Sequence, residues 1–165
     1  MIALKIEDIR SFTAGLFIGN LFDVFWLREA EVVTFAQFHI DGRLRKEYYT
    51  EAEQEEQPLG DWTEWAQVKP FCFSLIKGKR LPGSFRVVLQ LPRRELERFL
   101  ARAQLGLRPE QVQGLYLNIR YEEGMLRCVT GTALNFFTMD KSLETEWDGY
   151  VRRFFREHGI PCREE

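Results

Sequence analysis

Leu115–Thr132 reads LYLNIRYEEGMLRCVTGT, and its alternation is the clearest in the chain. Glu123-Gly124 at its centre predicts a tight hairpin turn, because two-residue hairpin loops need left-handed backbone that Gly adopts without strain. Turning there sets Glu122 opposite Met125, Tyr121 opposite Leu126 and Arg120 opposite Arg127. The residues then sort into two faces. Leu115, Leu117, Ile119, Tyr121, Leu126 and Cys128 share one, with Thr130 and Thr132 at its far end. Tyr116, Asn118, Arg120, Glu122, Arg127 and Val129 share the other. Such a ribbon rests one face on a core and turns the other toward water.

Upstream of the ribbon, Ser84–Leu91 (SFRVVLQL) predicts a strand. Pro92 then opens a helix over Arg93–Leu105, with Leu96, Phe99, Leu100 and Ala103 inward and Arg94, Arg98 and Arg102 outward. Downstream, Ala133–Met139 extends the ribbon or adds a strand. Asp140 caps a last helix carrying Leu143, Trp147, Tyr150, Val151 and Phe154 as its apolar stripe, ended by Gly159 and Pro161.

The first half reads less cleanly. Ala3–Ile6 is a short strand, and Glu7–Ile18 has helical spacing through Ile9, Phe12, Leu16 and Phe17. Phe22–Arg28 and Glu31–Ile40 are predicted as strands, Asp41-Gly42 as a hairpin turn and Arg43–Thr50 as the returning strand. Glu51–Gln57 (EAEQEEQ) has no large apolar residue and is expected as a solvated loop. Asp61-Trp62-Thr63-Glu64 has the pattern of a helix start, but Pro70 predicts that this helix is short. Pro70–Lys77 is expected as a second helix, with a strand over Phe71–Ile76 as the competing reading.

The two halves share an order of strand, helix, strands, and Ile9-Phe12-Leu16 has the spacing of Leu96-Phe99-Ala103. The expected fold is therefore α+β: a mainly antiparallel sheet from two such halves, helices packed on it, and a C-terminal helix. That element order resembles the repeating unit of sliding clamps. At 165 residues the chain has the length of a single domain, 1–165, and 45% hydrophobic content supports a real core.

Four segments also resemble a family of uncharacterised bacterial proteins, a domain of unknown function. They are HIDGRLRKEYYT (His39–Thr50), PFCFSLIKGKRLP (Pro70–Pro82), YLNIRYE (Tyr116–Glu122) and VTGTALNFFTMDKSLETEW (Val129–Trp147). The resemblance implies one compact bacterial domain and brings no activity, cofactor or catalytic residue with it.

Charge and cysteine content exclude several chemistries. With 23 basic and 25 acidic residues the net charge is −2, so no strong overall field draws the chain to nucleic acid or anionic membrane. The three cysteines, Cys72, Cys128 and Cys162, are far apart, and only His39 and His158 could join them, which leaves no zinc pattern. An odd, unpaired set suits a reducing compartment. MIALKIEDIR carries charge too early for a secretory signal, and no apolar run approaches the ~20 residues of a membrane span. A cytoplasmic location follows as the expectation.

No motif supplies a reaction. Gly78-Lys79 lacks the upstream Gly and the following Ser or Thr of a phosphate loop. Lys77, Lys79 and Arg80 read as a basic turn that could hold an anion. His39 with Asp41 could do acid–base work, but the aspartate already suits a turn, and no nucleophile is set beside it. Arg120 opposite Arg127 is an unfavourable like-charge pair unless something neutralises it. The expected partner is an internal acid, Glu122 or one from the C-terminal helix; the alternative is an external phosphate. The reading that results is a non-enzymatic binding or interaction domain with no catalytic residue, metal or cofactor, partnered by a protein or by a second copy. The first rival is a clamp-like nucleic-acid binder using Arg94, Arg98, Arg102, Arg120, Arg127, Lys77, Lys79 and Arg80. The second is an enzyme built around His39.

Overall fold

The ribbon forms with the expected register. In a computed structural model describing residues 1–165, Glu122 pairs with Met125, Tyr121 with Leu126 and Arg120 with Arg127. Glu123 and Gly124 both take left-handed backbone, φ 53° and 74°, as a two-residue hairpin loop requires.

In chain order the elements are β1 (Ala3–Ile6), α1 (Ile9–Phe17), β2 (Trp26–Val33), β3 (Gln37–Asp41), α2 (Glu51–Glu56), β4 (Thr63–Glu64), α3 (Trp65–Ile76), β5 (Ser84–Gln90), α4 (Arg93–Ala103), β6 (Val112–Glu122), β7 (Met125–Leu134), α5 (Ser142–Glu157) and β8 (Cys162–Glu164). Single 3₁₀ turns cover Lys46–Tyr48 and Pro109–Gln111. The eight strands make one open sheet in the order β3-β2-β5-β6-β7-β1-β8, with β4 on β2. Every strand pair is antiparallel. The chain is α+β with a C-terminal helix. The strand-helix-strand order recurs in both halves, but the pairing does not repeat: β5 adjoins β6, whereas β1 and β2 lie far apart.

One face of the sheet carries all the core-forming helices. Leu115, Leu117, Ile119, Leu126 and Cys128 point into a single cluster of 31 buried residues with the apolar stripes of α1, α3, α4 and α5. Aromatic rings knit the layer together: Phe12 on Phe22 at 5.3 Å, Phe17 on Phe85 at 5.1 Å and Phe99 on Trp147 at 5.9 Å. Each such pair adds about 0.5–1.5 kcal/mol beyond simple burial. The two fully buried tryptophans satisfy their N–H groups on backbone: Trp65 donates to Leu16 O and Trp147 to Tyr116 O, both at 2.9 Å. The opposite face of the sheet lies outside this helical layer.

The first half departs from expectation in several places. The strand expected over Phe22–Arg28 begins only at Trp26, none runs over Arg43–Thr50 and there is no turn at Asp41-Gly42. One strand runs Trp26–Val33, the chain reverses at Thr34–Ala36, and β3 ends at Asp41. Gly42 is needed for a different reason. It lies against β2, where its N–H donates to Arg28 O at 2.9 Å, and a Cβ there would sit 1.9 Å from Leu27 O. The segment after it then pairs with 61–63 through Thr63 N to Gly42 O, Leu44 N to Asp61 O and an Arg43–Trp62 bridge.

Glu51–Gln57 is not a loop. Glu51–Glu56 is helical behind a reciprocal Thr50–Glu53 capping box and buries no residue. Nor are there two helices around Pro70: α3 continues through it, and it begins after the short strand Thr63–Glu64, with Glu64 rather than Asp61 at its N-cap. The helix holds because Trp65, Val68 and Cys72 anchor it on the core, which outweighs the ladder bond that proline cannot donate. The segment after Leu134 is irregular, and Asp140 acts one step before α5, accepting from Ser142 N and Oγ at 2.9 and 2.6 Å.

Candidate functional site

The uncovered sheet face is shaped by a break in β2. Leu27 pairs with Leu89 and Glu29 with Val88, so Arg28 is an inserted, unpaired residue of a β-bulge. Strict alternation would put Arg28 on the core side with Ala30 and Val32. The bulge turns it outward instead, a known use of such insertions. Gly42 fits into the bulge and holds it.

Arg28 then lies in an aromatic slot. Its guanidinium carbon is 3.7 Å from the Trp62 ring centre and 5.3 Å from that of Tyr116. Nη1 donates to Oε1 of Gln90 at 3.1 Å, and Gln90 is itself buried. Tyr116 lies over Gly114, where a Cβ would come within 2.4 Å of the phenol ring. Trp62 is delivered by the segment paired with Arg43. Arg28, Trp62 and Tyr116 line a cavity of about 780 Å³, whose floor includes Val88, Asn118 and Val129 and whose rim carries Glu29 and Asp41.

Beside this cavity one cross-strand row spans seven strands. In register it runs His39, Glu31, Arg86, Arg120, Arg127, Lys5, Arg163. Directly paired residues share a face, so five consecutive basic side chains stand side by side, each like-charge pair costing some tenths of a kcal/mol. Carboxylates offset part of this. Arg86 Nη2 reaches Glu29 at 2.8 Å and Glu31 at 3.3 Å, Arg120 reaches Glu122 at 3.0 Å and Arg127 reaches Glu165 at 2.6 Å. Burial works against the Arg86 charge, but the two glutamates outweigh it and raise its pKa. The hydrogen bond from Arg127 holds the Glu165 carboxyl below its ordinary range. An internal acid therefore serves each member of the Arg120–Arg127 pair, with Glu165 after β8 taking the place expected of the C-terminal helix.

His39, Glu29 and Glu31 bring potential ligand atoms within 4.8 Å of one another. Their arrangement is explained by Arg86, whose guanidinium sits between both carboxylates. His39 Nδ1 is 3.4 Å from Glu31. No serine or cysteine lines the cavity, and the Thr130 hydroxyl is engaged by Asp148 at 2.5 Å.

The basic residues singled out from sequence fall in three places. Arg120 and Arg127 stand on the uncovered sheet face. Arg94, Arg98 and Arg102 lie on α4, in the helical layer on the other side. Arg98 and Arg102 line an α4–α5 groove with Arg153, where Glu95, Glu146 and Glu157 mix the charge. Lys77, Lys79 and Arg80 are exposed in the loop between α3 and β5. The eight do not share one surface. Arg28, Trp62, Gln90 and Tyr116 escaped the sequence reading. The signal available was the broken alternation of WLREAEVV, in which Leu27, Ala30 and Val32 cannot share a face without an extra residue.

The three cysteines are free, with Cys72 and Cys128 fully buried. No helix is long and apolar enough to cross a membrane. Comparison with curated proteins and with solved structures finds no match. Residues 15–162 match the model of DUF5721, described as a family of unknown function, and the chain belongs to that family.

Proposed function

We propose that this protein is a non-enzymatic binding domain that takes an anionic ligand on the uncovered face of its sheet. The observation that carries this reading is the row Arg86-Arg120-Arg127-Lys5-Arg163, set next to the Arg28 slot. Internal carboxylates engage the first three members, whereas Lys5 and Arg163 have no carboxylate in ion-pair contact. A binding role rather than a reaction is supported by the cavity lining, where the Thr130 hydroxyl is engaged by Asp148 and His39 faces carboxylates already bonded to arginine. Three unpaired cysteines favour a cytoplasmic setting.

The test is a titration of isotope-labelled protein with phenyl phosphate, benzoate and inorganic phosphate, followed by backbone amide shifts. Shifts concentrated in β2, β5, β6 and β7 are expected. Shifts confined to the α4–α5 groove, or none for any probe, would contradict the reading.

A clamp-like nucleic-acid binder is the second reading, favoured by the length of the basic row. Phosphates would have to compete with Glu29, Glu31, Glu122 and Glu165 for its arginines. Oligonucleotide binding that weakens steeply with salt and is lost on changing Arg120 and Arg127 to Gln would favour it over the first.

A further inference from the structure

We propose that Arg28 is the anchor for the ligand's oxyanion, a carboxylate or phosphate group carried on a small apolar or aromatic body. This rests on the uncovered-face reading and adds the ligand class to it.

A guanidinium offers five N–H donors in a planar fork. Arg28 spends one of them on a protein acceptor, Gln90 Oε1. The guanidinium lies 3.7 Å over the Trp62 ring and 5.3 Å from that of Tyr116, and the N–H edge beyond the Gln90 bond remains for a ligand. That edge matches two oxygens of a carboxylate or phosphate. Arg86, Arg120 and Arg127 each have a glutamate in contact; half-buried Arg28 has no carboxylate in ion-pair contact. Stacking on Trp62 stabilises the cation in part, and an oxyanion would complete its neutralisation.

The geometry is also held in place rather than adaptable. Arg28 is the inserted residue of the bulge, Gly42 closes against that bulge, and the acceptor of its one bond is buried. Such preorganisation reduces the ordering cost of binding.

The body of the ligand follows from the neighbouring row of the same face. Val88, Asn118 and Val129 pair in register there, two apolar side chains around one amide. A cavity of about 780 Å³ accommodates a small molecule and not merely an ion.

The experiment is calorimetric titration of the whole chain with phenyl phosphate and with benzoate at fixed salt. In parallel, NMR follows the Arg28 Nε–H and the Trp62 indole N–H. Saturable binding that moves both signals is expected, and the stronger of the two arms identifies the oxyanion. Arg28→Lys keeps the charge but loses the fork, and should weaken binding by about tenfold or more; Arg28→Gln should abolish it. The wild-type NMR signals decide the matter even if a variant folds poorly. An unmoved Arg28 signal, or Arg28→Lys binding as tightly as wild type, would overturn the anchor. If β5–β7 amides shift while Arg28 stays still, the face binds and the anchor is wrong. If no amide on the face responds, both readings fall.

Discussion

Gly42 shows how one residue can be right for the wrong reason in a sequence reading. Asp41-Gly42 has the composition of a hairpin turn, yet the glycine takes no left-handed φ. It is required because the backbone of β2 passes where a Cβ would be. Gly42→Ala should therefore destabilise the protein by about 2 kcal/mol or more and disturb the bulge that aims Arg28. Denaturant unfolding measures the first effect; a loss below about 0.5 kcal/mol would mean that the contact is slack. The cysteines make a pH prediction. Burial pushes the Cys72 thiol up to about 11 from 9.0 and pushes the Cys128 thiol well above its ordinary value. Each contributes stability that is fully present below the ordinary thiol pKa and is lost as pH rises through the folded value. Thermal stability should fall across that alkaline window, and Cys72→Ala should show a shallower fall, by on the order of 1–3 kcal/mol. A parallel decline in wild type and variant would contradict this. All three thiols should react in denaturant, whereas the native protein at pH 8 should leave Cys72 and Cys128 untouched.

At the scale of elements, the legibility of the fold follows how local its determinants are. The β6–β7 ribbon carries both signals that set register, strict alternation and a turn with Gly at a left-handed position, and it forms residue for residue as read. The β2–β3 hairpin carries neither. Its turn, Thr34-Phe35-Ala36, has no Gly, Asn or Asp, and β2 contains an inserted residue, so alternation points the wrong way for half the strand. Helix α2 illustrates the opposite error: composition reads as loop, but a capping box worth about 1 kcal/mol nucleates a turn and a half of exposed helix. With no buried residue, α2 should be nearly dispensable. Replacing Glu51–Gln57 by a Gly/Ser linker should remove a little helical circular dichroism and move the thermal midpoint by no more than about 2 °C. A larger drop would mean that the Gln54 contacts to Lys46 O and Tyr49 O hold the following segment in place.

On the scale of the whole molecule, the sheet is one-sided. The helices α1, α3, α4 and α5 gather over the core face, and the other face is left as a continuous surface spanning seven strands. The basic row on that face was out of reach of sequence reading because it is assembled by register between strands far apart in the chain. Lys5, Arg127 and Arg163 become neighbours only once β1 enters between β7 and β8, and Arg86 joins the row through the pairing of β5 with β6. A single rung, Arg120 opposite Arg127, was visible because a tight turn joins its two strands. Arg28 and Trp62 meet across the bulge and the paired segments that follow β3 and α2, again through contacts that no local pattern encodes. The binding surface thus depends on tertiary order, and its affinity should disappear with cooperative unfolding rather than survive in fragments.

Filling the uncovered face tests the central claim most directly. Asn118 lies on the cavity floor between Val88 and Val129, outside the core, so a larger side chain there can block the cavity without disturbing the fold. Calorimetric titration of Asn118→Trp with phenyl phosphate should show an affinity about tenfold or more below wild type, with an unfolding midpoint changed by less than about 0.5 kcal/mol in equivalent stability. Wild-type affinity in this variant would show that the anion binds elsewhere and would contradict the account.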